Sequence, residues 1–205
     1  MTESAHPAPA VQQSNSTVLW LQGITIAWML VELGVAGYAA AKAHSPAMMA
    51  FASDSVVELL SAAVVLSPRI PGLAVSQKKA TRAAGTLLFA LAFVVAAVAL
   101  GSLFLHWQPE TSCAGIAITA AALVAMPVLA ALKRREARRH GNAALAADAV
   151  QSATCAYIAL ITLAGVGLNA AFHIAWFDPI AALVAIPFLI NEGREARKGH
   201  SCGCC

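Results

Sequence analysis

Two acidic residues stand within a long apolar stretch of the chain, in the segment AFASDSVVELLS. Asp54 and Glu58 are four residues apart, and this spacing puts both carboxylates on one face of a helix. At the centre of a bilayer each isolated charge would cost at least ~2.5 to 3.5 kcal/mol. The pattern therefore predicts that a cation or a shared proton compensates the pair. The alternative is a structural pair satisfied by serine and backbone groups of neighbouring helices.

A second polar stripe occurs in the segment NAALAADAVQSATCAY. Asp148, Gln151 and Cys155 recur at intervals that place them on one face of a helix. Alignment of the two segments pairs Asp54 with Gln151 and Glu58 with Cys155. Two carboxylates, a thiol and an amide oxygen can surround one divalent ion, which suits zinc or a softer relative such as cadmium. The four paired residues are thus the predicted metal ligands.

The thiol and the amide are the weaker members of this predicted site. Cys155 would bind as thiolate, so that proton release would couple metal affinity to pH. A lone thiol is also one of the most commonly buried apolar side chains, which leaves simple packing as the alternative. Gln151 is a poor metal ligand, and its alternative role is to orient water.

The composition places these residues in a membrane protein. Of the 205 residues, 60% are hydrophobic and 11% are charged, against ~25% charged in soluble domains. Lys and Arg stand in short clusters between apolar runs, which argues against a nucleic-acid partner despite the net charge of +3. The predicted partner is the lipid bilayer.

Six apolar segments are long enough to cross a bilayer as helices, which need ~20 residues each. The sequence therefore predicts an all-α membrane protein with a six-helix transmembrane domain over residues 17–193. A disordered polar leader (1–16) is predicted before it and a short basic, Cys-rich tail (194–205) after it. The predicted spans are 17–41, 46–66, 83–105, 112–132, 143–170 and 173–191.

The distribution of basic residues predicts the orientation of the spans. Basic residues cluster between the second and third spans, in KRREARR between the fourth and fifth, and after the sixth. By the positive-inside rule both termini are cytoplasmic. A cleaved secretory signal is disfavoured, because no Lys or Arg precedes the first apolar run.

At these residues the chain resembles the cation diffusion facilitators, which exchange zinc and related divalent metals for protons. The likeness covers about residues 17–198 and rests on HSPAMMAFASDS, DSVVE, AADAVQSATC and WFDPIAALVAIPFLINEGREA. In that family the second helix carries Asp or His followed four residues later by Asp, and the fifth carries His followed four residues later by Asp. Glu58, Gln151 and Cys155 depart from this pattern.

The resemblance implies six transmembrane helices, cytoplasmic termini, a metal cation and protons as transported species, and no organic cofactor. It also implies a homodimer, although the cytoplasmic domain that the family commonly adds is replaced here by the short tail. Asp178 is interpreted as an N-cap of the sixth helix at the outer entrance. In the tail, His200, Cys202, Cys204 and Cys205 could capture a soft cation, or the tail could lack a function.

Two other classes of function compete with transport. The altered fifth-helix motif is compatible with a non-transporting, metal-binding membrane subunit. The closely spaced cysteines of the tail could exchange disulfides, but such an enzyme needs a partner thiol pair on the same side of the membrane. Neither Cys113 nor Cys155 is predicted to lie there, so we do not expect an enzyme.

Overall fold

The computed structural model describes residues 10–66, 77–105, 109–110 and 112–198, and these residues contain six α-helices and no strand. For these residues the prediction of an all-α protein is confirmed. The helices are α1 (Ala10–Ala43), α2 (Pro46–Leu66), α3 (Gln77–Phe104), α4 (Cys113–His140), α5 (Ala143–Phe172) and α6 (Phe177–Lys198).

Several helices extend beyond the predicted spans. The helix α4 continues through the basic cluster KRREARR, because Lys, Arg, Glu and Ala are all strong helix formers, and it ends at Gly141 with a φ of 60°. The helix α1 begins at Ala10, so the end of the predicted leader is helical. The helix α6 continues into the predicted tail as far as Lys198. Residues 1–9, Arg69 and the tail residues 199–205 lie outside the described part of the chain.

Four of the helices, α1, α3, α4 and α5, are long and apolar enough to cross a membrane. Large apolar side chains on their outer faces are exposed, including Trp20 and Phe93, each at 75%. Exposed apolar area of this kind marks a surface that meets something other than water. These features identify a helical integral membrane protein.

The remaining two helices, α2 and α6, each bury two acidic side chains. In α2 these are Asp54 and Glu58, and in α6 they are Asp178 and Glu192. The helix α2 packs against α1, α3, α5 and α6 and therefore lies at the centre of the bundle. Its fully buried Met48 and Phe51 join the apolar core around the acidic groups.

The carboxylate of Asp178 caps a different helix from the one predicted. It lies in the first turn of α6, and it accepts hydrogen bonds from the backbone N–H of Ala47 at 2.9 Å and from the Ser45 hydroxyl. The Ser45 Oγ in turn accepts from the N–H of Met48 at 3.1 Å. The predicted N-cap role within α6 is wrong, because both oxygens satisfy the start of α2. Asp178 thereby ties α6 to α2.

A glycine sets the closest approach of α5 to α6. A Cβ at Gly165 would lie 2.3 Å from the Cβ of Ala181, whereas a Cβ at Gly167 meets nothing within 4 Å. We expect Gly165→Ala to destabilise the fold by about 1 to 3 kcal/mol through overpacking. Gly167→Ala is the matched control, and it should be neutral or slightly stabilising because alanine favours the helix. Thermal unfolding of the detergent-solubilised protein measures both, and equal stabilities would contradict this packing.

Candidate functional site

The helices α2 and α5 run antiparallel, and polar contacts join them along their length. The Thr162 hydroxyl donates to the backbone oxygen of Ala47 at 3.4 Å, and near the other end of α2 the Ser61 hydroxyl donates to Asp148 Oδ1 at 3.1 Å. Along this contact, residue numbers therefore increase on α2 while the numbers of the facing residues on α5 decrease.

This direction corrects the predicted pairing of the site residues. Asp54 faces Cys155, and Glu58 accepts a hydrogen bond from the Ser152 hydroxyl. The pairing of Asp54 with Gln151 and of Glu58 with Cys155 assumed helices aligned in parallel. The prediction was right that the acidic face of α2 turns toward the polar stripe of α5, and wrong about which residues meet.

Asp54 lies at the centre of the buried acidic groups. Its side chain is fully buried, and within the described residues neither carboxylate oxygen accepts a hydrogen bond of ordinary length and angle. Its polar neighbours are the Cys155 thiol, Glu192 and Glu32, two of which are carboxyl groups themselves. A buried carboxylate in such surroundings requires a proton or a bound cation.

Glu32 of α1 is a member of this group that the sequence analysis missed. Trp28 Nε1 donates to its carboxylate at 2.7 Å and the Ser55 hydroxyl donates at 2.6 Å. The Cys155 Sγ lies 3.6 Å from Glu32 Oε1. The available signal was an ionisable residue in the middle of the first apolar run, MLVELGV, which marks a functional position in a membrane span.

Glu192 of α6 is the second missed carboxylate. It is buried, 9% exposed, and its carboxyl group lies beside Asp54 and the side chain of Thr154. Neither of its oxygens accepts a hydrogen bond of ordinary length and angle among the described residues. The amide of Gln151 is close to it, and the Nε2 of that amide also lacks a partner there. In the sequence Glu192 stands at the end of an apolar run, directly before the charged residues that end α6. This position gave no sign that its side chain would be buried.

Lys133 supplies the positive charge for a second buried polar group. Its Nζ lies 3.2 Å from Glu58 Oε1, 2.9 Å from Asp148 Oδ2 and 2.7 Å from Ser152 Oγ. All four side chains are buried. Gln22 of α1 adds a hydrogen bond of 2.7 Å to Asp148 Oδ2. The residues Gln22, Glu58, Lys133, Asp148 and Ser152 are called the lysine network below.

Lys133 is the first residue of the basic cluster KRREARR, yet its side chain is buried in the structure. A usable signal was its position on the helix, because Met126, Leu129, Ala130 and Ala137 are buried on the same face of α4. The next residue, Arg134, is exposed. Two adjacent basic residues thus have opposite environments.

The charges of the buried side chains do not balance. Among the described residues, six carboxylates are buried and Lys133 is the buried cation. No three His, Cys, Asp or Glu side chains in that part of the chain converge closely enough to hold a metal ion together. Of the four predicted ligands, Asp54 and Cys155 meet, Glu58 belongs to the lysine network, and Gln151 lies beside Glu192. The arrangement can take up protons or cations at neighbouring carboxylates.

The fold and these groups define a helical integral membrane protein with an acidic interior. No protein-family model matches the chain, and no curated protein shows significant similarity to it.

Proposed function

We propose that this protein is a membrane carrier that exports a divalent cation, zinc or a softer ion such as cadmium, in exchange for protons. The observation that carries the proposal is the carboxylate of Asp54, which is buried among other acidic groups and accepts no hydrogen bond of ordinary geometry among the described residues. A carboxylate of this kind is stable in a membrane interior when a proton or a metal cation binds to it.

In this proposal all six helices cross the membrane and both termini are cytoplasmic, as in the cation diffusion facilitators. The basic residues at the end of α4, at the start of α3 and in the last turns of α6 then share the cytoplasmic side. We place the carrier in the cell (inner) membrane as a homodimer.

The proposed cycle is alternating access around a site near the midplane of the membrane. A cytosolic cation enters between α2 and α5 and binds at Asp54 and Cys155, with Glu58 and Gln151 as further ligands when the helices close on it. Rocking of the bundle exposes the ion to the outside. Protons then compete for the same carboxylates and thiol, release the ion and reset the carrier.

Reconstituted protein tests the proposal. Purified wild-type protein in liposomes that contain a zinc or cadmium indicator should take up the ion when a pH gradient is imposed, and collapse of the gradient with an ionophore should stop the uptake. Protein-free liposomes give the background. Uptake that equals this background under both conditions would reject the carrier.

A second candidate is a metal-binding subunit that does not transport. It is favoured by two observations: no three ligands converge in the described residues, and Lys133 already contacts Glu58. Expression in a metal-sensitive cell separates the two functions. A carrier confers tolerance to zinc or cadmium when expressed alone, whereas a subunit binds metal without conferring tolerance.

The thiol of Cys155 is expected to set the preference among cations. Cys155→Asp should shift selectivity from cadmium toward zinc by about tenfold, or ~1.4 kcal/mol, because a carboxylate oxygen is a harder ligand than sulfur. Competition between the two ions for uptake into liposomes measures the shift. Cys113→Ser is the control, since this thiol is exposed at the start of α4. Unchanged selectivity would assign Cys155 to packing.

A further inference from the structure

A groove runs between α1 and α4 on the outside of the bundle. It lies at the end where α1 begins and α4 ends, and its volume is about 320 Å³. The two helices pack against each other, and each provides one wall. None of the buried acidic side chains lines this groove, so it is separate from the site described above.

The wall that α1 provides is largely apolar. Trp20, Leu21 and Ile24 line it, and the side chains of Trp20 and Ile24 are exposed. A second groove, of about 420 Å³, shares Trp20 and Ile24 with the first and continues along α1 over Gly23 and Ala27. The two grooves together form an open apolar surface along which an acyl chain can lie.

The wall that α4 provides changes from apolar to charged within two turns. Leu132, Arg135, Glu136 and Arg139 line it, at spacings of three, four and seven residues that place them on one helix face. Leu132 precedes Arg135 by about 4.5 Å along the helix axis, the rise of three residues. The groove is therefore charged at the outer end of the bundle and apolar below that end.

The charge at the outer end of the groove is positive overall, because two arginines face one glutamate. Glu136 accepts a hydrogen bond from Arg139 Nη1 at 3.1 Å, and its other oxygen lies 3.3 Å from His140 Nε2. The Arg139 side chain is 53% exposed, and ion pairs at exposed positions are weak. Arg135 is exposed as well. Both guanidinium groups can thus reach a phosphate, which they bind in a bidentate manner.

We propose that this groove binds an anionic phospholipid, with its phosphate at Arg135 and Arg139 and an acyl chain along Trp20 and Ile24. Basic pockets between transmembrane helices bind anionic headgroups, and tryptophan favours the level of the headgroups in a membrane. The groove contains none of the proposed cation ligands. Lipid binding therefore stands or falls independently of the proposed transport.

Other occupants match the groove less well. A two-fold contact places the same surface of two copies together, so a second copy in this groove would bring Arg135 and Arg139 against their counterparts. Like charges in contact disfavour such an interface. A soluble phosphate would leave the apolar wall of α1 uncovered. A phospholipid matches both the charged end and the apolar wall.

Quenching of tryptophan fluorescence by brominated lipids tests the proposal. Wild-type protein is reconstituted in vesicles of phosphatidylcholine and phosphatidylglycerol in which one lipid or the other, at equal mole fraction, carries brominated acyl chains. The chain has four tryptophans, and the difference from Trp20→Phe gives the quenching at Trp20. Phosphatidylglycerol should be preferred about fivefold or more, the factor expected for one basic residue at a membrane surface.

Two double variants with the same net charge locate the preference. Arg135→Gln with Arg139→Gln should bring the ratio of the two lipids at Trp20 close to one. Arg134→Gln with Arg138→Gln is the matched control, because these arginines are exposed on the same helix but do not line the groove. The control should keep the wild-type preference.

The remaining outcomes would overturn the proposal. Equal quenching of wild-type Trp20 by the two lipids would show that the groove does not select an anionic headgroup. An equal loss of preference in both double variants would assign it to the general charge of the cluster. Relief of the quenching by glycerol phosphate would assign the groove to a soluble anion, and absence of quenching by either lipid would show that protein covers Trp20.

Discussion

Asp54→Ala is expected to reduce proton-driven uptake of zinc or cadmium to the level of protein-free liposomes. The side chain is fully buried at the point where α2 meets α5 and α6, and its oxygens accept no hydrogen bond of ordinary geometry in the described part of the chain. Removal of the carboxylate takes away a ligand for the cation and an acceptor for the proton together. Uptake into indicator-loaded liposomes under a pH gradient measures the effect.

The loss should occur without unfolding. The substitution removes a buried acidic group that lies next to other carboxyl groups, so it relieves repulsion as well as creating a small cavity. Ser53→Ala is the matched control on the preceding residue, because among the described residues the Ser53 hydroxyl donates within its own helix, to the Met49 carbonyl. Both variants should elute as wild type in size-exclusion chromatography. Wild-type uptake by Asp54→Ala would remove the proposed function.

Lys133→Met is expected to cause the largest loss of stability. The substitution leaves Glu58 and Asp148 buried without the ammonium group that contacts both. Removing one partner of a buried ion pair costs about 3 to 5 kcal/mol, because the remaining charge stays uncompensated. Thermal unfolding of the detergent-solubilised protein measures the loss. Arg134→Met is the matched control, since it removes one positive charge from the same cluster at an exposed position.

The triple variant Lys133→Met, Glu58→Gln, Asp148→Asn distinguishes charge compensation from simple packing. Removal of the whole network takes away the buried charges together, and such replacements are often neutral or stabilising. The triple variant should therefore recover most of the stability that Lys133→Met alone loses. If Lys133→Met were as stable as Arg134→Met, the buried network would not form.

These two substitutions separate the two roles of the buried charges. Asp54→Ala should abolish transport without lowering stability, because no buried cation contacts that carboxylate among the described residues. Lys133→Met should lower stability first, because the Lys133 ammonium group contacts Glu58 and Asp148 in the folded protein. A pattern in which both variants lose only stability would favour a static polar core over a carrier.

Local properties of the sequence determined the helices and the environment they occupy. Apolar runs of about 20 residues satisfy their own backbone groups as helices, whatever their neighbours are. The four-residue spacing of Asp54 and Glu58 likewise put both carboxylates on one side of α2, and the structure turns that side toward α5.

Only the tertiary structure decided which charges meet. Because α2 and α5 run antiparallel, Cys155 lies next to Asp54. Aligning the two segments by sequence does not reveal whether the helices run parallel or antiparallel. Glu32 and Glu192 reach the same place from α1 and α6, which depends on how those helices pack around α2. Lys133 and Arg134 are adjacent basic residues in the sequence, yet a rotation of about 100° between successive helical positions buries the first and exposes the second. Partners of a buried charge are set by contacts between helices, and a single helix does not specify them.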